Sequence, residues 1–230
     1  MHKHWTFPAL LLLAAACGGT ELPAGRRDAA PLLVALGAPD GAGVRDLRAG
    51  RGEAARASFE AILANDPERL AALNDLAVTY ALEDRRDAAR SLLDEVVARG
   101  APREQVVALV NLSELFALEG YLTAAGAYLE TARSIEPERP EALYALALLA
   151  DARGEAARAL SLAREALRAD EAGAGRAALV FLRPEEQVHL EALLAEARGD
   201  RDLAQSRWRE LRGGRFPVLS QAAQRHLDAL

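Results

Sequence analysis

The sequence predicts an all-α fold of stacked antiparallel helix pairs, and three observations predict it. A pattern of about 34 residues recurs along the chain, a period that marks a solenoid. Ala55, Ala89, Ala125 and Ala159 occupy one slot of that pattern, with Phe59, Leu93, Leu129 and Ala163 each four residues further on. Turn glycines fall between helices at Gly50, Gly120, Gly154 and Gly199, while Pro67, Pro102 and Pro137 close the units at intervals of 35. A solenoid offers a long continuous surface to partners, so the pattern points to binding without naming a ligand.

Residues 1–16 stand apart from the repeats. His2, Lys3 and His4 form a short basic start, and Phe7 to Ala16 form an apolar run too short for the roughly 20 residues that a membrane helix needs. The segment reads as an export signal. It ends in Leu13-Ala14-Ala15-Ala16-Cys17-Gly18, which resembles the lipobox of bacterial lipoproteins, with Ala14 where that family most often has leucine. The resemblance implies cleavage before Cys17, a diacylglyceryl group on its sulfur and an acyl chain on the new amine, which together anchor a protein stably where one chain alone would not. Gly18 follows the cysteine, and by the sorting habit of enteric bacteria the absence of an aspartate there implies the outer membrane, with the protein facing the periplasm.

Composition excludes several chemistries. Without residues 1–16 the chain keeps 27 of its 28 basic residues against 34 acidic ones, a net charge of −7. Such a surface does not attract phosphate backbones, so no nucleic-acid partner is expected. Lys3 is the only lysine, which leaves the mature chain without a phosphate-loop, Schiff-base or kinase lysine. Cys17 is the only cysteine, so an internal disulfide and a cysteine-type zinc cluster are both excluded.

Residues 17–39 read as a lipid-anchored flexible tether, rich in Gly and Pro and with a coil length of about 25 Å. Within it Leu32, Leu33, Val34 and Leu36 form an apolar cluster, expected to cap the exposed end of the first repeat.

From residue 40 the helix pairs follow in order. In the second unit Leu73, Leu76, Ala77 and Tyr80 share one helical face, Arg85 to Asp87 make a turn, and Ala88, Ala89, Leu92, Leu93, Val96 and Val97 line a second helix. The third unit repeats this with Leu109, Leu112, Ser113 and Phe116, then Gly120, then Ala124, Ala125, Tyr128, Leu129 and Ala132. The fourth has Leu143, Leu146, Ala147 and Ala150, then Gly154, then Ala159, Ala163 and Ala166. This order of large, large, small, aromatic, glycine, alanine, large apolar and proline resembles the tetratricopeptide repeat, which implies a right-handed superhelix of about five repeats over residues 40–216, the first and last degenerate.

Physical reasoning agrees with the resemblance. The alanine slot suits a close helix crossing, and Asp66-Pro67-Glu68 and Glu136-Pro137-Glu138 suit a helix stop followed by a start, with proline at the first helical position. Helices of about 12 to 15 residues are marginal alone, so stacking must hold them. From Ala159 to Ala204 the spacing is 45, which places an insertion at about 172–183. In the fifth unit Glu191 falls where an apolar residue belongs, and Leu190, Leu193 and Leu194 serve after a one-residue slip. Residues 217–230 read as a C-terminal capping helix, with Leu219, Ala222, Ala223 and Leu227 on one face.

In the tetratricopeptide family the first helix of each pair lines the concave surface. Carried onto this chain, the resemblance implies a partner-binding groove of Asn74, Val78 and Ala81, then Val110, Glu114 and Ala117, then Tyr144, Leu148 and Asp151, and finally His189 with Leu193 and Glu196. Such a groove would hold an apolar or amphipathic segment of another protein, with Leu148→Asp as its probe. Val78 and Leu148 could instead pack on a neighbouring repeat or on the insertion. The repeats that clamp a C-terminal carboxylate pair asparagine with lysine or arginine; Asn74 and Asn111 are present here without such basic partners.

No catalytic or metal site is expected. Glu186-Gln187-Val188-His189 matches half of a helical di-iron motif, which needs two copies and further glutamates. The plainer reading makes Glu186 a first-turn acid and His189 a surface or groove residue, with His226 alone in the last helix. The sequence therefore predicts a non-catalytic scaffold or adaptor of the bacterial envelope, with protein partners, no cofactor and no small-molecule substrate. Its size, anchor and repeat count also resemble pilotins, lipoproteins that escort secretin subunits of type IV pili. An enzyme or metal protein built on the insertion is the remaining alternative.

Overall fold

The computed structural model describes residues 32–38, 41–181 and 183–230. The signal segment, Cys17 and most of the expected tether lie outside the described residues.

The described chain is a stack of helix pairs. The first is α1 (Ala42–Arg48) with α2 (Gly52–Asn65), followed by α3 (Leu70–Leu82) with α4 (Arg86–Arg99) and α5 (Pro102–Leu118) with α6 (Leu122–Ile135). Next come α7 (Pro140–Ala152) with α8 (Ala156–Ala169), then, after an interruption, α10 (Pro184–Arg198) with α11 (Arg201–Arg212) and a last helix, α12 (Pro217–Ala229). A strand, β1 (Leu32–Val34), precedes the stack, and the interruption between α8 and α10 contains α9 (Ala174–Ala177) and β2 (Leu179–Phe181).

The two helices of a pair differ in composition, and that difference sets their layer. In α7 every residue from Glu141 to Asp151 is buried, whereas α8 buries only Ala159, Leu162, Ala163 and Ala166. A helix that is apolar all round belongs inside, and one with a single apolar stripe belongs outside. The alanine slot does what its size suggests, since Ala55, Ala89, Ala125, Ala159 and Ala204 are all at most 1% exposed. Gly120, Gly154 and Gly199 turn the chain within their pairs at φ of 87°, 85° and 81°, a conformation that costs glycine nothing. The second pair makes this turn at Glu83–Arg85, just before the expected Arg85 to Asp87, and Asp84 takes the left-handed position at φ 58°.

Two expectations are corrected. Pro67 and Pro137 lie in the turns before α3 and α7, and the prolines that begin helices are Pro102, Pro140, Pro184 and Pro217. The cluster at residues 32–36 does not cap the stack: it forms β1, which packs against α3 and α5 on the inner face. The insertion supplies β2, antiparallel to β1 with Leu32 opposite Phe181, Leu33 opposite Val180 and Val34 opposite Leu179. In the fifth pair Leu190, Leu193 and Leu194 are buried while Glu191 pairs with Arg207 at 3.0 Å, as the one-residue slip requires. Among the described residues no helix is long and apolar enough to cross a membrane.

Candidate functional site

Of the twelve groove residues expected from the sequence, eleven are buried and Glu196 is half-buried. Asn74, Val78, Ala81, Val110, Glu114, Ala117, Tyr144, Leu148, Asp151 and His189 are at most 4% exposed. The concave face exists, but the chain's own segments fill it. Leu148, only 2% exposed in the main core, would therefore report on folding if it were charged, and Leu148→Asp is not a clean probe of partner binding.

The first half of the face, formed by α3 and α5, holds β1 by its backbone. Asn111 Oδ1 accepts the Val34 N–H at 2.7 Å while its Nδ2 donates to the Val34 carbonyl at 3.0 Å, so one amide side chain reads both backbone groups of one residue. Asn74 Nδ2 donates to the same carbonyl at 3.0 Å, and Asn111 Nδ2 also donates to Asn74 Oδ1 at 2.9 Å. Asp75 accepts the N–H of Leu36 at 2.7 Å and that of Gly37 at 2.8 Å. Glu114 accepts the Leu32 N–H. Residues 32, 34 and 36 thus present their backbone to side chains of the repeats. Leu33 pairs with Val180, and the Ala35 N–H donates to the Ala178 carbonyl at 2.9 Å, so the other edge belongs to the insertion.

Side chains of this segment alternate as a strand requires. Leu32 and Val34 join the core cluster built from α5 to α12, and Leu33 and Ala35 join the one built from α1 to α5. Val78 and Ala81 belong to the latter cluster, Val110, Ala117 and Leu148 to the former. The two acids are buried at some cost. Burial pushes the Asp75 carboxyl up to about 6 against hydrogen bonds from Asn74, Leu36 and Gly37 that favour its charge. Burial also pushes Glu114 well above the usual carboxylate range, and the neighbouring Glu186 charge adds to this.

The second half of the face is closed by side chains instead. Tyr144 donates its hydroxyl proton to Asp170 Oδ2 at 2.8 Å, and Asp170 also accepts the N–H groups of Gly175 and Arg176, which pins the insertion over α7. Asp151 sits between two histidines, with His189 Nε2 2.6 Å from Oδ2 and His226 Nε2 2.9 Å from Oδ1. Glu196 takes the other ring nitrogen of His226 at 2.9 Å and accepts the Trp208 indole N–H at 2.7 Å. The Trp208 and His226 rings stack with centroids 4.2 Å apart, and Arg225 donates to the Asp151 carbonyl at 2.9 Å. Burial alone would raise Asp151 and lower His226. Hydrogen bonding prevails: bonds with His189 and His226 hold Asp151 well below the usual carboxylate range, and bonds with Asp151 and Glu196 hold His226 up at about 9. Four helices, α7, α10, α11 and α12, are joined at this point.

His189 and His226 are therefore partners in one buried network; the expectations of a surface or groove histidine and of an isolated one are both corrected. Glu186 is the first-turn acid of α10, accepting the Arg183 N–H at 3.0 Å. Among the described residues no group of three or more His, Cys, Asp or Glu side chains is placed to hold a metal ion. Sequence reasoning did not single out Asp75, Asp170, Trp208 or Arg225. Their signal was a polar or bulky residue where the repeat pattern calls for a packing one, as with Asn74-Asp75 inside the apolar run of α3.

Antiparallel helix pairs, with alanine at each crossing and the first helices lining a common inner face, define a helical-repeat solenoid. Residues 46–112 match the family model described as Tetratricopeptide repeat. That stretch is similar to tetratricopeptide repeats, and the later helix pairs continue the same stack. Among solved structures, one described as "Crystal structure of MamA" aligns with a TM-score of 0.42 at 18% identity, covering 81% of this chain and 96% of that one. So shallow a likeness carries no argument. The sequence has no match among curated proteins.

Proposed function

We propose that this protein is a non-catalytic interaction scaffold of the bacterial cell envelope, anchored to the outer membrane by lipid on Cys17, which holds an extended segment of a partner on its concave face. Tetratricopeptide stacks are an interaction fold. The observation that carries the reading is the bidentate grip of Asn111 on Val34, since it is a working example of this face holding an extended polypeptide. The lipobox-like run ending at Cys17 supports the anchor.

Two experiments test the two parts. Palmitate labelling and membrane fractionation should place the native protein in the membrane with label, and Cys17→Ala should lose both; an unlabelled, soluble native protein would remove the anchor from the proposal. Cross-linking capture from intact envelopes should enrich a defined partner whose yield changes with Asn111→Ala. Equal yields from two folded proteins would move the working surface elsewhere, and recovery of a secretin subunit would narrow the scaffold to an escort of the pilotin kind.

A further inference from the structure

The segment at residues 32–37 is bound as a ligand is bound. It lies outside the repeat pattern, and a two-stranded ribbon as short as β1 with β2 has little stability of its own. We propose that residues 32–37 are a built-in stand-in for a partner's strand, and that an extended partner segment of the pattern large apolar, large apolar, β-branched, small, large apolar, glycine takes their place between Asn111 and β2. The proposal rests on the scaffold reading above and names the class of partner for its groove.

The contacts themselves specify this occupant. Asn74, Asn111, Asp75 and Glu114 touch only main-chain N–H and carbonyl groups of the segment, groups that every non-proline residue of any chain provides. Selectivity then lies in the side chains. Leu32, Leu33, Val34 and Ala35 are at most 3% exposed, so a polar or charged side chain at these four places would be buried without a partner. The sixth place has no room for a side chain, because a Cβ on Gly37 would lie 2.6 Å from Asp75 Oδ2 and 3.1 Å from Val44 Cγ2. A groove meant for permanent closure would gain from apolar walls. This one keeps two asparagines and two acids that water can solvate when the segment leaves, and burial disfavours the charged form of both acids, so opening relieves a cost of the closed state. Edge addition of a strand to a sheet is a recurrent mode of peptide recognition, and here β2 supplies the edge.

The test uses the full chain with Cys17→Ser and a cross-strand pair, Val34→Cys with Leu179→Cys, which face each other in the ribbon and can be closed by oxidation. The probe is a fluorescent peptide with the sequence of residues 31–38, Pro-Leu-Leu-Val-Ala-Leu-Gly-Ala. The reduced protein should bind it saturably, the oxidised protein at least ~10-fold more weakly, and a peptide with valine at the place of Gly37 at least ~10-fold more weakly than the parent. A second variant, Gly37→Val in the protein without the cysteine pair, weakens the resident segment and should bind the parent peptide ~10-fold more tightly than the native protein does. Equal binding by oxidised and reduced forms, or no binding by folded Gly37→Val, would overturn the proposal. Light scattering on the reduced protein should give a monomer; a dimer that oxidation abolishes would make a second copy the occupant and overturn it also. Capture of an envelope partner that persists after oxidation would overturn this inference and leave the scaffold reading intact.

Discussion

The two halves of the concave face are closed by different chemistry. Over α3 and α5 the occupant is a strand gripped by its backbone, through Asn111, Asn74, Asp75 and Glu114. Over α7 and α10 the occupant is α12, held by charged and aromatic side chains that meet at Asp151. A backbone grip reads no side chain itself, so on the proposal above its occupant is exchangeable for a segment whose side chains fit the apolar places. A side-chain lock needs His226, Glu196 and Trp208 all in place, and a different helix would not fit it. On the proposal above, the face divides into an exchangeable part and a fixed part that single substitutions can separate.

The largest effect should come from Asp151→Ala. It leaves protonated His226 and Arg225 facing a site without its carboxylate, and breaking a buried ionic partnership in this way costs about 3–5 kcal/mol. Denaturant unfolding should show that loss, and proteolysis should begin in α12 while β1 stays protected.

The same lock has a pH signature. Free His226 would titrate near its ordinary 6.5, and in the fold its pKa is raised to about 9. A raised histidine contributes stability that is complete below the unfolded value and is lost as pH rises through the folded one, here over about 6.5 to 9. The loss should be about 3 kcal/mol from the size of the shift, measured as unfolding free energy against pH. Asp151, held low, adds the opposite limb: its contribution is present above the usual carboxylate range and is lost as pH falls below it.

Asn111→Ala should be smaller and confined to the other half. It removes both bonds to Val34 and the one to Asn74, at a cost of about 1–3 kcal/mol. The expected result is selective cleavage before α1 with α12 still protected. The smallest effect should be that of Asp75→Asn. The native carboxyl, raised to about 6, favours the closed groove in its neutral form, so closure should weaken as pH rises from about 4 to 6. The variant should lack this dependence and, with one acceptor fewer for the N–H groups of Leu36 and Gly37, differ by about 1 kcal/mol in stability.

Much of the architecture was legible because each repeat announces itself locally. Ala89, Leu93 and Gly120 have roles that depend only on the adjacent helix, and the 45-residue gap before Ala204 located the interruption. The state of the groove was not legible, because its contents come from outside the repeat period. Val34 and Asn111 lie 77 residues apart, and His226 and Asp151 lie 75 apart; nothing in a 34-residue pattern couples such positions. Asn74 and Asn111 fall on the concave side as the resemblance implied, but with no basic partner they read a backbone in place of a carboxylate. Val78 and Leu148 looked available only because the helices that bear them were considered without the segments that cover them.

Native-state hydrogen exchange on the intact protein compares the two halves directly. The account predicts that the amides of Val34, Leu36 and Gly37 exchange through a local opening at least ~10-fold faster than the slowest amides of α12, and that Asn111→Ala accelerates the first group alone. If residues 32–37 and α12 exchange together, at the rate of global unfolding, the groove is closed for good and the division into an exchangeable half and a fixed half is wrong.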